Sequence, residues 1–263
     1  EHFLEKYYCN TFDDWVFAPD FANELLLKQF GTASLKGFGV EDLPMGIIAA
    51  GAVLYYLQDT QHNQTANITS ISRIEKDKYV WLDKFTIRNS EIIGSPNENA
   101  KTLIDVIDNT ITPMGSRMLR RWVLMPLKDV KPIEERQNTV ETLIKESETR
   151  EKLAQQIKNI GDLERLVTKA AVGRITPREI QQLKRALFAV EEVRQTCLSD
   201  KSESLIQIGE KLNSCLTLAN RIGKEITEEP PAKIEKGGVI ANGVNEELDE
   251  LRAMAGSGKN YLM

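Results

Sequence analysis

The chain has 263 residues, 41% of them hydrophobic and 28% charged, with a net charge of −5. That length exceeds one typical domain and supplies enough apolar side chain for a sizeable core. The acidic balance excludes a wholesale electrostatic nucleic-acid binder, while leaving local contacts open. In chain order, Asp14 to Ala18 is a short aromatic run with β character. Pro19-Asp20 opens a short helix with Phe21, Leu25 and Leu26 on one side. Gly31, Gly37 and Gly39 punctuate a loop-rich stretch, and Pro44 begins a nearly all-apolar helix to about Leu57. Asp59 to Asn67 is polar and reads as a linker, placing a domain boundary between residues 66 and 67.

Ile68 to Ile74 and Tyr79 to Leu82 are strand-like, joined by the charged turn Glu75-Lys-Asp-Lys78. Beyond Asp83 the pattern is overwhelmingly helical. Asn97 is placed to cap a helix carrying Leu103, Ile104 and Ile107. Thr112 and Pro113 then start a sharply bounded amphipathic helix that Pro126 stops after Leu124. Met114, Met118, Trp122 and Met125 share one face of it, Gly115 permits a close backbone approach, and Arg117, Arg120 and Arg121 occupy the remaining surface. Pro132 opens the next helix, with Ile133, Gln137, Val140 and Ile144 on one face. Glu151 to Val172 holds two helices parted near Gly161. Thr176-Pro-Arg-Glu179 is a capping box launching a helix with Ile180, Leu183, Leu187 and Val190 as its stripe. Ser204 to Ile222 reads as one helix broken off by Pro230-Pro231, Ile234 and Val239-Ile240 flank Gly237-Gly238 like a small hairpin or strand pair, and Asn245 caps a last helix.

Chemistry-bearing residues are sparse. Cys9, Cys197 and Cys215 are odd in number and far apart, which fits neither a disulfide framework nor a zinc site and points to a reducing compartment; Cys197 and Cys215 read as small buried residues. His2 and His62 are the only histidines. No apolar run reaches membrane-spanning length, and no signal peptide is evident. Ala255-Gly-Ser-Gly-Lys259 superficially resembles a phosphate-binding loop, but Ala253 stands where the first glycine belongs and Asn260 where the magnesium-binding hydroxyl belongs. Glu134-Glu135, Glu246-Glu247 and Asp249-Glu250 are acidic pairs of the ordinary helix-surface kind. Arg117, Arg120 and Arg121 are the candidate DNA-phosphate contacts, although acidic neighbours on other helices could pair with them instead. Residues alone therefore give a mainly α scaffold with a small α/β piece and no visible active site.

The segment Thr110-Ile-Thr-Pro-Met-Gly-Ser-Arg-Met-Leu-Arg-Arg-Trp122, followed by Met125-Pro-Leu127, resembles the signature of the MutS family of DNA mismatch repair proteins. The resemblance continues in the family's order. Upstream are Phe30-Gly31, Gly37-Phe-Gly-Val40, Ala49-Ala-Gly51 and Gln58-Asp-Thr-Gln61. Downstream are Glu135-Arg-Gln137, Asp162-Leu-Glu-Arg165, Gly237-Gly-Val-Ile240 and Glu247-Leu-Asp-Glu-Leu-Arg252. It implies the later part of an RNase H-like α/β connector domain over 1–66, then a helical core/lever domain over 67–263 that stops before the DNA-gripping clamp. Glu1 and Tyr261-Leu-Met263 both fall in mid-pattern, so a piece of a longer protein is expected. Phe3-Leu-Glu5 matches the letters of the family's mismatch-reading motif but directly precedes connector-like sequence, and is read as coincidence.

The resemblance further implies a noncatalytic part of a mismatch-recognition protein, with ATP and magnesium bound in the full-length protein and no cofactor in this chain. It implies mismatched double-stranded DNA as the full-length ligand and partner repair proteins such as MutL reached through the connector. It also implies a full-length dimer and a bacterial cytoplasmic, nucleoid-associated location. Met114, Gly115, Met118 and Trp122 are expected to form a packed structural hub, so that Gly115→Leu would uncouple mismatch binding from ATP turnover. The competing reading is a free-standing helical adaptor that binds protein partners without DNA.

Overall fold

Two compact units, residues 1–75 and 76–263, make up the chain in a computed structural model that describes residues 11–61, 65–74, 76–95, 97 and 100–261. His2, Phe3-Leu-Glu5, Cys9 and His62 lie outside the described residues. The first unit is built on α1 (Pro19–Phe30) and α2 (Pro44–Gln61). Pro19 occupies the start of α1, and Gly31 ends it in the left-handed region at φ 61°. The helices cross where Gly51 meets Ala22; a Cβ at Gly51 would stand 2.6 Å from the Ala22 Cβ, so only glycine allows this approach. Leu26, Leu35, Val40 and Leu54 form the core, and Ile68 and Ile71 pack onto it. Gln29 Nε2 donates to the carbonyls of Thr65 and Ile68, at 2.8 and 2.9 Å. These contacts hold Thr65, Ile68 and Ile71 to this unit.

Strand expectations give way throughout. Asp14–Phe17 is a 3-10 turn, with the buried Val16 pointing inward. Trp15 meets Phe21 and Tyr55 edge to face, at centroid distances of 4.9 and 5.3 Å, so ring packing rather than strand pairing uses the aromatics. Ile68–Ile74 forms no strand; Ile68 and Ile71 dock singly on the core, while Ile74 is exposed. The first unit therefore carries no strand among its described residues. In the second unit, the described residues hold only isolated bridges, Tyr79 to Leu127 and Ile226 to Ile240. The second bridge replaces the hairpin expected around Gly237-Gly238, and Ile234–Lys236 is a 3-10 turn. The molecule is mainly helical, and no described helix is long and apolar enough to cross a membrane.

The second unit begins with an arm, residues 76–129, comprising α3 (Lys84–Asn89), α4 (Leu103–Ile107) and α5 (Pro113–Leu124). Asp83 caps α3, accepting from the Phe85 and Thr86 amides. Thr102, not Asn97, caps α4: its side chain and that of Asp105 form a reciprocal capping box. Leu103 and Ile104 amides bond the carbonyls of Glu91 and Ile92, burying Ile92 and Ile104. A helical bundle follows: α6 (Val130–Lys145), α7 (Ser147–Ile160), α8 (Leu163–Ala171), α9 (Pro177–Leu198), α10 (Glu203–Lys211) and α11 (Leu216–Glu225). Pro132 lies inside the first turn of α6 rather than at its start. Gly161, at φ 66°, separates α7 from α8.

The capping box at Thr176 and Glu179 forms as its spacing predicts, and α9 becomes the bundle's axis. Leu183 and Leu187 on its first half pack with Leu166, Ala219 and Ile222. Val193 and Cys197 on its second half pack with Leu153 and Leu205. The stretch 204–222 is two helices rather than one. Cys215 adopts φ 48°, its amide bonded to Asn213 Oδ1 at 3.0 Å, and Ser214 donates to Glu191 of α9 at 2.5 Å. The break lets α10 and α11 each lie against α9. Beyond the 226/240 bridge, Asn245 caps α12 (Glu246–Tyr261), accepting from the Leu248 amide at 2.8 Å.

Candidate hub on the Thr112–Leu127 helix

Helix α5 starts as its sequence dictates. Thr112 Oγ1 accepts from the Gly115 amide at 3.1 Å, and Pro113 takes the first helical position. Met125 ends it with its amide on the Arg121 carbonyl, and the Pro126 carbonyl accepts from Val80 at 2.7 Å. The loop before the helix is stapled by Asp108, which accepts from the Thr110 amide at 3.1 Å and the Thr110 hydroxyl at 2.6 Å, and from Ser116 Oγ. These hydroxyls, Ser116 first and Thr110 second, hold the Asp108 carboxyl below its usual pKa. Asp-x-Thr ahead of a capped helix is a sequence signal for this staple, and it can be read without the fold.

The apolar stripe is not buried within the chain. No residue of α5 is buried; Met118 is 56% and Trp122 41% exposed, while Met114 and Met125 are half-buried. The described residues of this chain therefore leave the expected hub of Met114, Gly115, Met118 and Trp122 only partly covered. Amphipathic spacing specifies a face, but burial needs an opposing surface. Gly115 likewise faces its own entry loop: a Cβ there would lie 3.2 Å from Thr110 Cβ and 3.3 Å from Thr112 Oγ1. Trp122 instead carries the Arg136 guanidinium of α6 over its ring, 3.7 Å from the centroid.

The three arginines separate by role. Arg117 bridges to the start of α8. Its Nη2 lies 2.7 Å from Asp162 Oδ1 and 2.5 Å from Glu164 Oε2, its Nε 2.9 Å from Glu164 Oε2, and its Nη1 3.2 Å from Asp162 Oδ2. Both carboxylates raise the guanidinium pKa, and the Arg117 bond holds the Asp162 carboxyl low. Asp162 also caps α8, its Oδ1 accepting from the Arg165 amide at 3.3 Å. Arg120 and Arg121 are exposed, and Arg120 lies in the field of Asp105 and Asp108. Arg117 is thus engaged by carboxylates of α8, apart from Arg120 and Arg121.

Other sequence candidates resolve similarly. Residues 255–259 run on in helix through Tyr261, so they do not form the loop that would cradle phosphate. Asp249 pairs with Arg252 at 3.2 Å and accepts from the Gly243 amide at 2.6 Å. Among the described residues no group of three His, Cys, Asp or Glu side chains is placed to hold a metal ion. Cys197 is buried, and desolvation pushes its thiol pKa up. Cys215 is exposed rather than buried, and its backbone is left-handed at φ 48°. Spacing alone could not identify Arg136, Asp162 and Glu164 as the partners that fix α5.

Residues 6–69 match the family model for MutS domain II, and residues 85–258 match that for MutS domain III. The chain is 55% identical over 263 residues to the DNA mismatch repair protein MutS of Parabacteroides distasonis, covering 100% of this chain and 30% of that protein. It is 54% identical over 262 residues to the protein of the same name from Bacteroides thetaiotaomicron, again covering 100% of this chain and 30% of the relative. For the one from Cytophaga hutchinsonii the identity is 45% over 263 residues, covering 100% and 31%. The chain thus spans about a third of the length of these relatives. Two successive domain matches and identity of this order over the whole chain establish that the chain belongs to the MutS family.

Proposed function

We propose that the chain is the noncatalytic connector and core of a mismatch-recognition protein, coupling the state of mismatched DNA to the ATP state of the full-length molecule. The observation that carries this reading is the match to two MutS domains in family order along one chain. The Arg117 bridge supports it, because it ties the signature helix to the bundle through breakable polar bonds. In this reading ATP and magnesium bind outside the chain, and mismatched double-stranded DNA is the ligand of the whole protein. MutL is met through the connector unit, the full-length protein is a dimer, and it works in the bacterial cytoplasm at the nucleoid. Arg120 and Arg121 are kept as the DNA-phosphate candidates, while Arg117 serves the bridge. The adaptor reading has nothing specific in its favour, since the relatives above are all named as mismatch repair proteins.

The test uses the full-length protein with Arg117→Ala and Arg117→Lys. The readouts are ATP turnover with matched DNA, with mismatched DNA and without DNA. We expect Arg117→Ala to abolish the difference between matched and mismatched DNA while sparing turnover without DNA, and Arg117→Lys to restore part of it. An undiminished mismatch response in Arg117→Ala would overturn the coupling role.

A further inference from the structure

The first two turns of α9 carry polar side chains on a face that an axial helix would ordinarily fill with apolar ones. Arg178, Gln181 and Lys184 stand at i, i+3 and i+6, on one side of the helix. All three reach the segment leaving α11. Gln181 Nε2 donates to the carbonyls of Ile226 and Thr227, at 3.2 and 2.7 Å. Arg178 Nε donates to the Pro230 carbonyl at 3.3 Å, and Lys184 Nζ meets the Glu228 carboxylate at 3.1 and 3.2 Å. Gln181 is 3% and Lys184 8% exposed, whereas the Glu228 side chain is 72% exposed. The two carbonyls fix which end of the Gln181 amide faces them. Among the described residues its buried Oε1 has no partner, so this contact retains a desolvation cost that an apolar residue would avoid.

That segment is in turn bonded to the stretch before α12. Thr227 donates its amide to Val239 at 2.9 Å, Ala241 donates to Glu225 at 2.8 Å, and Ile226 bridges Ile240. The Ile240 carbonyl accepts from Arg252 Nη2 of α12 at 3.0 Å, and Arg252 Nη1 also reaches Asn242 at 3.1 Å. Apolar burial adds little direction here, since Leu251 of α12 is 57% exposed. A continuous series of hydrogen bonds therefore runs from the start of α9 through 226–230 and 239–241 to Arg252.

We propose that this ladder is a positioning device that sets the angle of α12 against the bundle, with Gln181 as its buried anchor and Arg252 as its outer link. Polar bonds to backbone carbonyls fix direction as well as distance, which sliding apolar contacts do not. The device accounts for a buried amide and a buried ammonium at positions where leucine would pack more cheaply. It stands apart from the repair reading, since it concerns one helix and its mounting.

The test is the distance distribution between nitroxides attached through a ketone-bearing amino acid at Arg185 and Glu250 in the full chain, which leaves the native cysteines untouched. The unsubstituted ladder should give one narrow distribution. Gln181→Leu and Arg252→Ala should each shift it or broaden it at least about twofold as one pose becomes an ensemble, with helix content unchanged. Should Gln181→Leu fail to fold, Lys184→Met replaces it as the inner break. A broad distribution in the parent, or an unchanged one in either folded break, overturns the device.

Discussion

Within residues 76–263, the bundle around α9 and the arm bearing α5 are both helical and both well capped, yet they are held by different forces. The bundle buries Leu183, Leu187 and Val193 of α9 against residues of four other helices, Leu205 of α10 among them. The arm buries Ile92 and Ile104 but leaves the α5 stripe open, and reaches the bundle through Arg117 on Asp162 and Glu164 and through Trp122 under Arg136. Apolar burial is collective and nondirectional, so it yields a body that loses its fold as a unit. Exposed charge pairs are individually weak and screened by salt, so they yield a joint. The same sequence thus builds one member packed on apolar side chains and another joined to it by polar contacts, and helix propensity does not distinguish them.

The largest effect that separates the two should come from Leu205→Ala. It empties a site that is 2% exposed and should cost about 2–5 kcal/mol in denaturant unfolding. A loss below that range would mean that the bundle is looser than its contacts imply. A pair of glycines sharpens the contrast at smaller scale. A Cβ at Gly209 would lie 3.0 Å from Leu198 Cγ and 3.1 Å from Cys197 Cβ, inside the packed bundle. Gly209→Ala should therefore destabilise by about 1–3 kcal/mol through overpacking. Gly115→Ala meets a loop that can give, and its gain in helix propensity should leave the net change within about 1 kcal/mol. Equal costs at the two sites would erase the distinction.

A third, smaller effect lies in pH. Glu179 joins α8 to α9, and its bond from Lys169, with a further one from the Thr176 amide, lowers its pKa from the usual 4.5 to about 2. A depressed carboxyl contributes stability that is present above its unfolded value and lost as pH falls through its folded one. The bundle should therefore weaken between about pH 4.5 and 2, and Glu179→Gln should be less stable at neutral pH with a shallower acid loss over that interval. An acid limb unchanged by the substitution would remove Glu179 from the account.

Much of this architecture is legible from local chemistry. Thr112-Pro113, Thr176-Pro-Arg-Glu179 and Asn245 announce helix starts, because capping is settled within four residues. Gly161 parts two helices for the same local reason. The break at Cys215 carries no glycine or proline; Ser214 reaching Glu191 across 23 positions makes it, and that contact exists only once α9 is in place. Ile68–Ile74 has β-branched composition, but strands require partners, and here the core of the first unit takes Ile68 and Ile71 singly. The α5 site is legible by half. Its caps and stripe follow from spacing, while the exposure of that stripe and the Arg117 bridge depend on residues 45 and 47 positions away.

The most direct test of rigid bundle and hinged arm is native-state amide hydrogen exchange in the full chain, with and without Arg117→Ala. Protection in α9 should report global unfolding, and protection in α5 a smaller opening free energy. Arg117→Ala should lower protection across the arm and leave α9 unchanged. If α5 and α9 exchange with one common free energy, and Arg117→Ala moves both or neither, the arm is part of the bundle and the account is wrong.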